Sequence, residues 1–188
     1  MKARESGMPE ESLWEKFFAS SHILSKLELD PSVRDVAEFG SGYGTFSIAA
    51  ARIVCGKIYA FDIEPDLIHR VQSRSNYEGC SNIRVTLRDF ISEGTGLPDE
   101  SVDYCMLFNI LHTEDPLTLL SESYRILVSG GKVGVIHWNP DPRTPRGPPM
   151  GIRPHPDQCT LWARETGFSI KSVHDLPPYH FGIVLIKP

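Results

Sequence analysis

Apolar positions along this chain switch repeatedly between two spacings. Short continuous or alternating runs at 35–39, 57–61, 83–87, 102–108, 132–138, 168–176 and 181–186 read as strands, rich in branched and aromatic residues. Between them lie helix-spaced stretches: Phe46 to Ile53, Pro65 and Asp66 to about Ser75, a segment through Leu120 and Ile126, and Asp157 to Glu165. Gly56, Gly79 and Gly167 punctuate the exits. Ahead of the first strand, residues 1–10 form a polar lead-in. From Glu11 a helical face carries Leu13, Trp14, Phe17 and Phe18; Ile23, Leu24 and Leu27 continue a second one until Pro31. Strands alternating with helices predict an α/β architecture.

One stretch carries candidate chemistry. After the first run the chain reads Glu38-Phe39-Gly40-Ser41-Gly42-Tyr43-Gly44-Thr45 and then becomes an Ala-rich helix. Glycine lets the backbone turn sharply and approach a ligand closely, because no Cβ intervenes. A dinucleotide fingerprint would place its third Gly at 45, where Thr45 stands. Roughly 20 positions on, Asp62 closes the second strand, where a carboxylate can accept hydrogen bonds from both hydroxyls of a ribose. Loop and acid together are far more specific than either alone. They do not by themselves separate a nicotinamide cofactor from a methyl donor, since both carry an adenosine ribose.

The order acidic-x-Gly-x-Gly-x-Gly resembles the first motif of class I S-adenosylmethionine-dependent methyltransferases. The text from Gly96 through Asp103 and Phe108 to His112, followed by Leu120-x-Glu122-x-x-Arg125-Ile126-Leu127-x-x-Gly130-Gly131, is similar to the type 11 group, with Ser129 where that group usually has Pro. The resemblance runs from about Val33 to Lys187. It implies a Rossmann-like three-layer sandwich with a seven-stranded, mostly parallel sheet in the order 3-2-1-4-5-7-6, the last strand antiparallel. The N-terminal helices, 1–30, would form a cap over the active site. It further implies S-adenosylmethionine as cofactor, S-adenosylhomocysteine as product, and Glu38, Gly40, Ser41, Gly42, Gly44, Asp62, Ile63, Asp89, Phe90, Phe108 and Asn109 as its binding residues. Asp89 would meet the adenine amino group and Phe90 the base.

The sulfonium is an activated electrophile, so the protein's work is alignment and exclusion of water, and a base is needed only if the acceptor must lose a proton. His112, past the fourth strand, and His137, near the end of the fifth, are the candidates, since imidazole titrates near neutrality. Trp14, Phe18, Tyr43, Trp138 and Arg146 are candidate walls of the substrate pocket; aromatic faces suit a sulfonium. For Trp14, Phe17 and Phe18, packing onto the core is the favoured alternative role. Residues 139–156 hold Pro at 140, 142, 145, 148, 149, 154 and 156, which excludes helix or central strand and predicts an active-site loop. Arg143, Arg146, Arg153 and His155 give that loop a positive cast. Pro177-Pro178-Tyr179 falls between the last two strands and reads as a hairpin connection.

Length and composition narrow the partners. The chain's 188 residues fit one domain, 1–188, with 40% hydrophobic and 23% charged residues. A formal charge of -5 argues against nucleic acid. Cys55, Cys80, Cys105 and Cys159 lie far apart, suggesting neither a metal site nor disulfides, with Cys55 and Cys105 expected in the core. No apolar run reaches membrane-spanning length and the start is too polar for a secretory signal, so a cytoplasmic enzyme acting on a small-molecule acceptor is expected. Two rivals stand beside it: a nicotinamide-dependent oxidoreductase, and a methyltransferase-like module that binds without turnover.

Overall fold

The computed structural model describes residues 10–188, so all but the end of the expected lead-in lies outside the described residues. Seven strands form one sheet in the order β3-β2-β1-β4-β5-β7-β6. They are β1 (Val36–Phe39), β2 (Ile58–Asp62), β3 (Ile83–Leu87), β4 (Val102–Phe108), β5 (Leu127–Trp138), β6 (Ser169–Leu176) and β7 (His180–Ile186). β1 through β5 pair in parallel, and β7 runs antiparallel to both neighbours. The sheet expected from the resemblance is the one observed. Helices α1 (Glu11–Trp14), α2 (Ser20–Lys26), α3 (Thr45–Ala51), α4 (Pro65–Tyr77), α5 (Pro116–Ile126) and α6 (Pro156–Glu165) complete the described elements, with short 3-10 turns at Glu15–Phe17 and Met150–Ile152.

Side chains alternate across the sheet with the strand period of two. Val36, Tyr104, Met106, Phe108, Ile136 and Val184 face one core with α2 and α3; Ala37, Phe39, Cys105, Leu107, Val133, Val135 and Ile183 face the other with α5 and α6. Burial of both faces explains why the central strands read as near-continuous apolar runs rather than alternating ones. Each fully buried large apolar side chain contributes about 1.5–3 kcal/mol. Across the first core, the Tyr104 hydroxyl donates to the Leu27 carbonyl at 2.8 Å, fastening α2 to β4.

Three local expectations need correction. The helical face from Glu11 breaks at Phe18, whose extended backbone (φ -132°, ψ 122°) separates the 3-10 turn from α2 and swings Phe18 into the core. β5 begins at Leu127, not Lys132, because α5 passes directly into extended chain: Leu127 pairs with Val102, while Gly130 and Gly131 bond to Lys187. Cys55 is exposed in the turn after α3; Cys80, Cys105 and Cys159 are the buried cysteines.

Growth of the sheet reverses between β1 and β4: β2 and β3 were added on one side, β4 onwards on the other. At such a switch point the loops leaving neighbouring strands diverge and open a crevice at their carboxyl ends. The candidate site lies there.

Candidate functional site

A cavity of about 450 Å³ sits at the carboxyl ends of β1 to β5. Each strand exit supplies one wall. After β1 come Gly40, Ser41 and Gly42; after β2, Asp62, Ile63 and Glu64; after β3, Asp89, Phe90 and Ile91; after β4, Phe108 through Asp115 in part; after β5, Trp138 and the loop carrying Arg146 to Pro149 and Ile152. Trp14 adds a wall from α1, and Thr45 and Phe46 from the start of α3.

The glycine loop and Asp62 form one hydrogen-bonded unit. Asp62 Oδ2 accepts from the Gly42 amide at 2.9 Å and Oδ1 from the Glu64 amide at 3.1 Å. A carboxylate has lone pairs for further donors, so those contacts leave acceptor capacity for a diol. Burial raises the Asp62 carboxyl, while the amides of Gly42, Glu64 and Ile63 pull it back down. Gly40 (φ +77°) adopts a conformation that L side chains rarely take, and a Cβ there would meet Ile110 Cδ1 at 2.9 Å. Glu38 is buried under the loop and accepts from the Ser47 hydroxyl; burial pushes its carboxyl up to about 8, aided by Asp62. Asp89 Oδ1 accepts from the amides of Ile91 and Ser92, both at 3.2 Å, which fixes the turn after β3.

Polar atoms around this cavity fit a nucleoside amino acid. Ser41 Oγ, Thr45 Oγ1 and both amide atoms of Asn109 are buried without a partner among the described residues, an arrangement that is costly unless a ligand satisfies it. Asn109 holds φ +56°, unusual for a residue other than glycine, and so aims its amide from the end of β4. Among the lining residues Glu38, Asp62, Glu64, Asp89, Glu114 and Asp115 are acidic and Arg146 is the single Lys or Arg. That imbalance favours a cationic ligand over a pyrophosphate.

Of the residues expected here, Glu38, Gly40, Ser41, Gly42, Asp62, Ile63, Asp89, Phe90, Phe108, Asn109, His112, Trp14, Trp138 and Arg146 line the cavity. Gly44, Tyr43, Phe18 and His137 do not. A Cβ on Gly44 would meet Val71 of α4 at 3.2 Å, so this glycine serves helix packing. Tyr43 lies against Glu11, Glu64 and Glu10, and burial with that negative charge raises its phenol. Phe18 stacks among Trp14, Phe46 and His180. His137 is fully buried behind His112, its Nε2 3.2 Å from His112 Nδ1. Thr45 was legible only as a missing glycine, yet it lines the site.

The proline-rich loop is built differently from the positive surface its sequence suggests. Arg143 pairs with its neighbour Asp141, and His155 is the exposed cap of α6. Arg153 is buried and turned into the loop: Nε donates to the Pro148 carbonyl at 2.7 Å, Nη2 to Arg146 at 2.8 Å, and Nη1 to Asn139 at 3.1 Å and to the Thr144 hydroxyl. Its guanidinium lies 5.9 Å from the Trp138 ring centre. Gly147 (φ +115°) passes so close that a Cβ would fall 2.8 Å from both Arg153 Nη2 and Trp138 Cγ. Seven prolines leave the segment few amides of its own, and the five-donor fork adds bonds to its carbonyls. Replacing Arg153 by alanine strands these acceptors and is expected to cost roughly 2–4 kcal/mol. Thermal denaturation should show a melting point lower by about 5–10 °C, with protease cleavage appearing within 139–149; an unchanged melting point and cleavage pattern would refute the staple.

The reversed strand order, the antiparallel last strand and a ligand cavity at the switch point define a class: the seven-stranded α/β enzymes that hold a nucleoside at the carboxyl edge of the sheet. Residues 36–131 match the family described as "Methyltransferase domain". The chain belongs to that methyltransferase family, whose methyl donor is S-adenosylmethionine. No curated protein matches the chain. Among solved structures it is similar to an S-adenosylmethionine-dependent methyltransferase of Aquifex aeolicus, with 23% identity, 95% of this chain and 94% of that one covered, and a TM-score of 0.84. A Sulfolobus solfataricus protein named as a type 11 methyltransferase shares 26% identity over 82% of this chain and 84% of its own, with a TM-score of 0.67. The [4+2]-cyclase SpnF, 16% identical, covers 98% of this chain and 85% of its own with a TM-score of 0.78. In the described residues no helix is long and apolar enough to cross a membrane, and no group of three metal-ligating side chains occurs.

Proposed function

We propose that this cavity binds S-adenosylmethionine and passes its methyl group to a small-molecule acceptor held between Trp14, His112, Trp138 and Arg146. The observation that carries the reading is the convergence of Asp62, Asp89 and the Gly40–Gly42 loop on one cavity. Asp62 would accept from the ribose hydroxyls and Asp89 from the adenine amino group, with Phe90 and Ile91 against the base. Glu38, Ser41, Thr45 and Asn109 would meet the amino acid portion. The bound sulfonium supplies an activated methyl group, so what the chain adds is alignment, a dry site and a counter-field. Trp14 and Trp138 line the proposed acceptor end, and aromatic walls favour a sulfonium over water.

Support for a small acceptor comes from the far wall. Phe46, Phe108, Ile110, Trp138, Ile152 and the prolines at 148 and 149 enclose that end with apolar surface, and Arg146 offers one place for an anionic group. The acidic lining also disfavours nicotinamide cofactors, which carry a pyrophosphate. Because SpnF shares the fold under the name of a cyclase, architecture does not choose the reaction by itself. Titration calorimetry with S-adenosylmethionine, S-adenosylhomocysteine and NADH is the test. Heat from the first two and none from NADH is expected; binding of NADH alone would end the proposal.

A further inference from the structure

His112 lines the cavity, but the residue that decides what it can do lies behind it. β5 carries His137 on the same sheet face as Val133 and Val135, and places its ring 5.4 Å from that of His112, centre to centre, at 74°. Two contacts form a chain: His137 Nδ1 lies 3.3 Å from the Trp138 carbonyl oxygen, and His137 Nε2 lies 3.2 Å from His112 Nδ1. A carbonyl only accepts, so Nδ1 of His137 carries the proton. Burial, with His112 and Arg153 nearby, drops the His137 imidazole to about 3, and it stays neutral. Its Nε2 is therefore an acceptor, and His112 must donate from Nδ1. The basic lone pair of His112 is then at Nε2.

We propose that His137 is a positioning residue: through the Trp138–His137–His112 chain of hydrogen bonds it locks His112 as the Nδ1–H tautomer, so that Nε2 serves as general base for an acceptor whose nucleophilic atom still bears a proton. This rests on the reading of the cavity as the methyl-donor site. The acceptor class is thus a proton-bearing nucleophile, a hydroxyl, thiol or amine, and not a preformed anion. In balance, the new bond forms between that atom and the methyl carbon, the carbon–sulfur bond breaks with its electron pair returning to sulfur, and the acceptor's proton ends on His112 Nε2. The imidazolium so formed still donates to His137 through Nδ1, so the ring is held in place through the proton transfer.

The test needs no acceptor. Nitrogen-15 spectra of the full chain, with and without S-adenosylhomocysteine, report which imidazole nitrogen carries hydrogen, and His112→Gln assigns the signals. The expected result is a protonated-type signal at Nδ1 of His112 and an unprotonated-type signal at Nε2. In His137→Leu the preference should be lost, and in His137→Gln, whose amide oxygen can accept in place of Nε2, it should return. A wild-type spectrum showing hydrogen on Nε2 of His112 would overturn the inference without any variant. So would a preference that survives His137→Leu. Binding of S-adenosylhomocysteine, read by calorimetry on the same samples, reports on the cavity assignment separately: retained binding with the wrong tautomer removes this inference and leaves that one standing.

Discussion

Alanine in place of Asp62 is expected to weaken S-adenosylmethionine binding by about 100-fold or more, a larger loss than a single surface contact could produce. Two effects add. Each hydrogen bond to a charged acceptor is worth roughly 1.5–3 kcal/mol, and a ribose diol would use two. The same carboxylate also holds the Gly42 amide at 2.9 Å and the Glu64 amide at 3.1 Å, so its removal frees the loop that shapes the cavity floor. Asp62→Asn separates the contributions, because the amide keeps one acceptor but turns a donor toward either the backbone or the diol. Its loss should lie between wild type and alanine. Calorimetry with both variants checks the order, and affinity within about threefold of wild type in Asp62→Ala would show that the ribose lies elsewhere.

Acid should destabilise this protein through two buried imidazoles. Burial drops the imidazoles of His137 and His180 to about 3, with His112, His180 and Arg153 adding to the shift at the first and Arg153 at the second. The unfolded chain takes up protons below about 6.5, whereas the folded one refuses them until about 3. Depressed folded values mean that the stability is fully present above the unfolded value and is lost as the pH falls from 6.5 toward 3. Each histidine contributes about 1.4 kcal/mol per pH unit, so the pair removes on the order of 5 kcal/mol between pH 6.5 and 4.5. The Glu38 carboxyl, raised to about 8 in the folded chain, returns roughly half of that over the same range and leaves a net fall of about 2–3 kcal/mol. A domain's whole stability is about 5–15 kcal/mol. Urea unfolding followed by tryptophan fluorescence at pH 7 and 4.5 should show that drop, and the double variant His137→Gln, His180→Phe should shed most of it. An equal drop in the variant would place the acid sensitivity elsewhere.

The strands and the glycine-and-acid wall of the cavity were legible because their signals are local, whereas the strand order followed from the family resemblance. Glu38, the glycines and Asp62 lie within one strand-loop-helix-strand unit, and the central strands advertise their double burial by unbroken apolar runs. What escaped reading depends on partners distant in sequence or without side-chain identity. Arg153 reads as surface charge because the acceptors it serves are mostly main-chain oxygens, which leave no trace in composition. The pairing of His112 with His137 joins the loop after β4 to β5 across 25 positions, and in sequence each histidine reads only as a candidate base. The break at Phe18 was hidden by helical spacing that continues across it, and only the pull of the core on that ring explains the extended backbone.

Arg153 also tells something about how the acceptor end can change. Its grip falls on the carbonyls of residues 139, 146 and 148, groups that every amino acid possesses, and on one hydroxyl at Thr144. Most side chains along that arch are consequently free to be exchanged without unfastening it. On the proposed placement of the acceptor, preference for one over another can drift here by ordinary point mutation while the sheet beneath keeps its form.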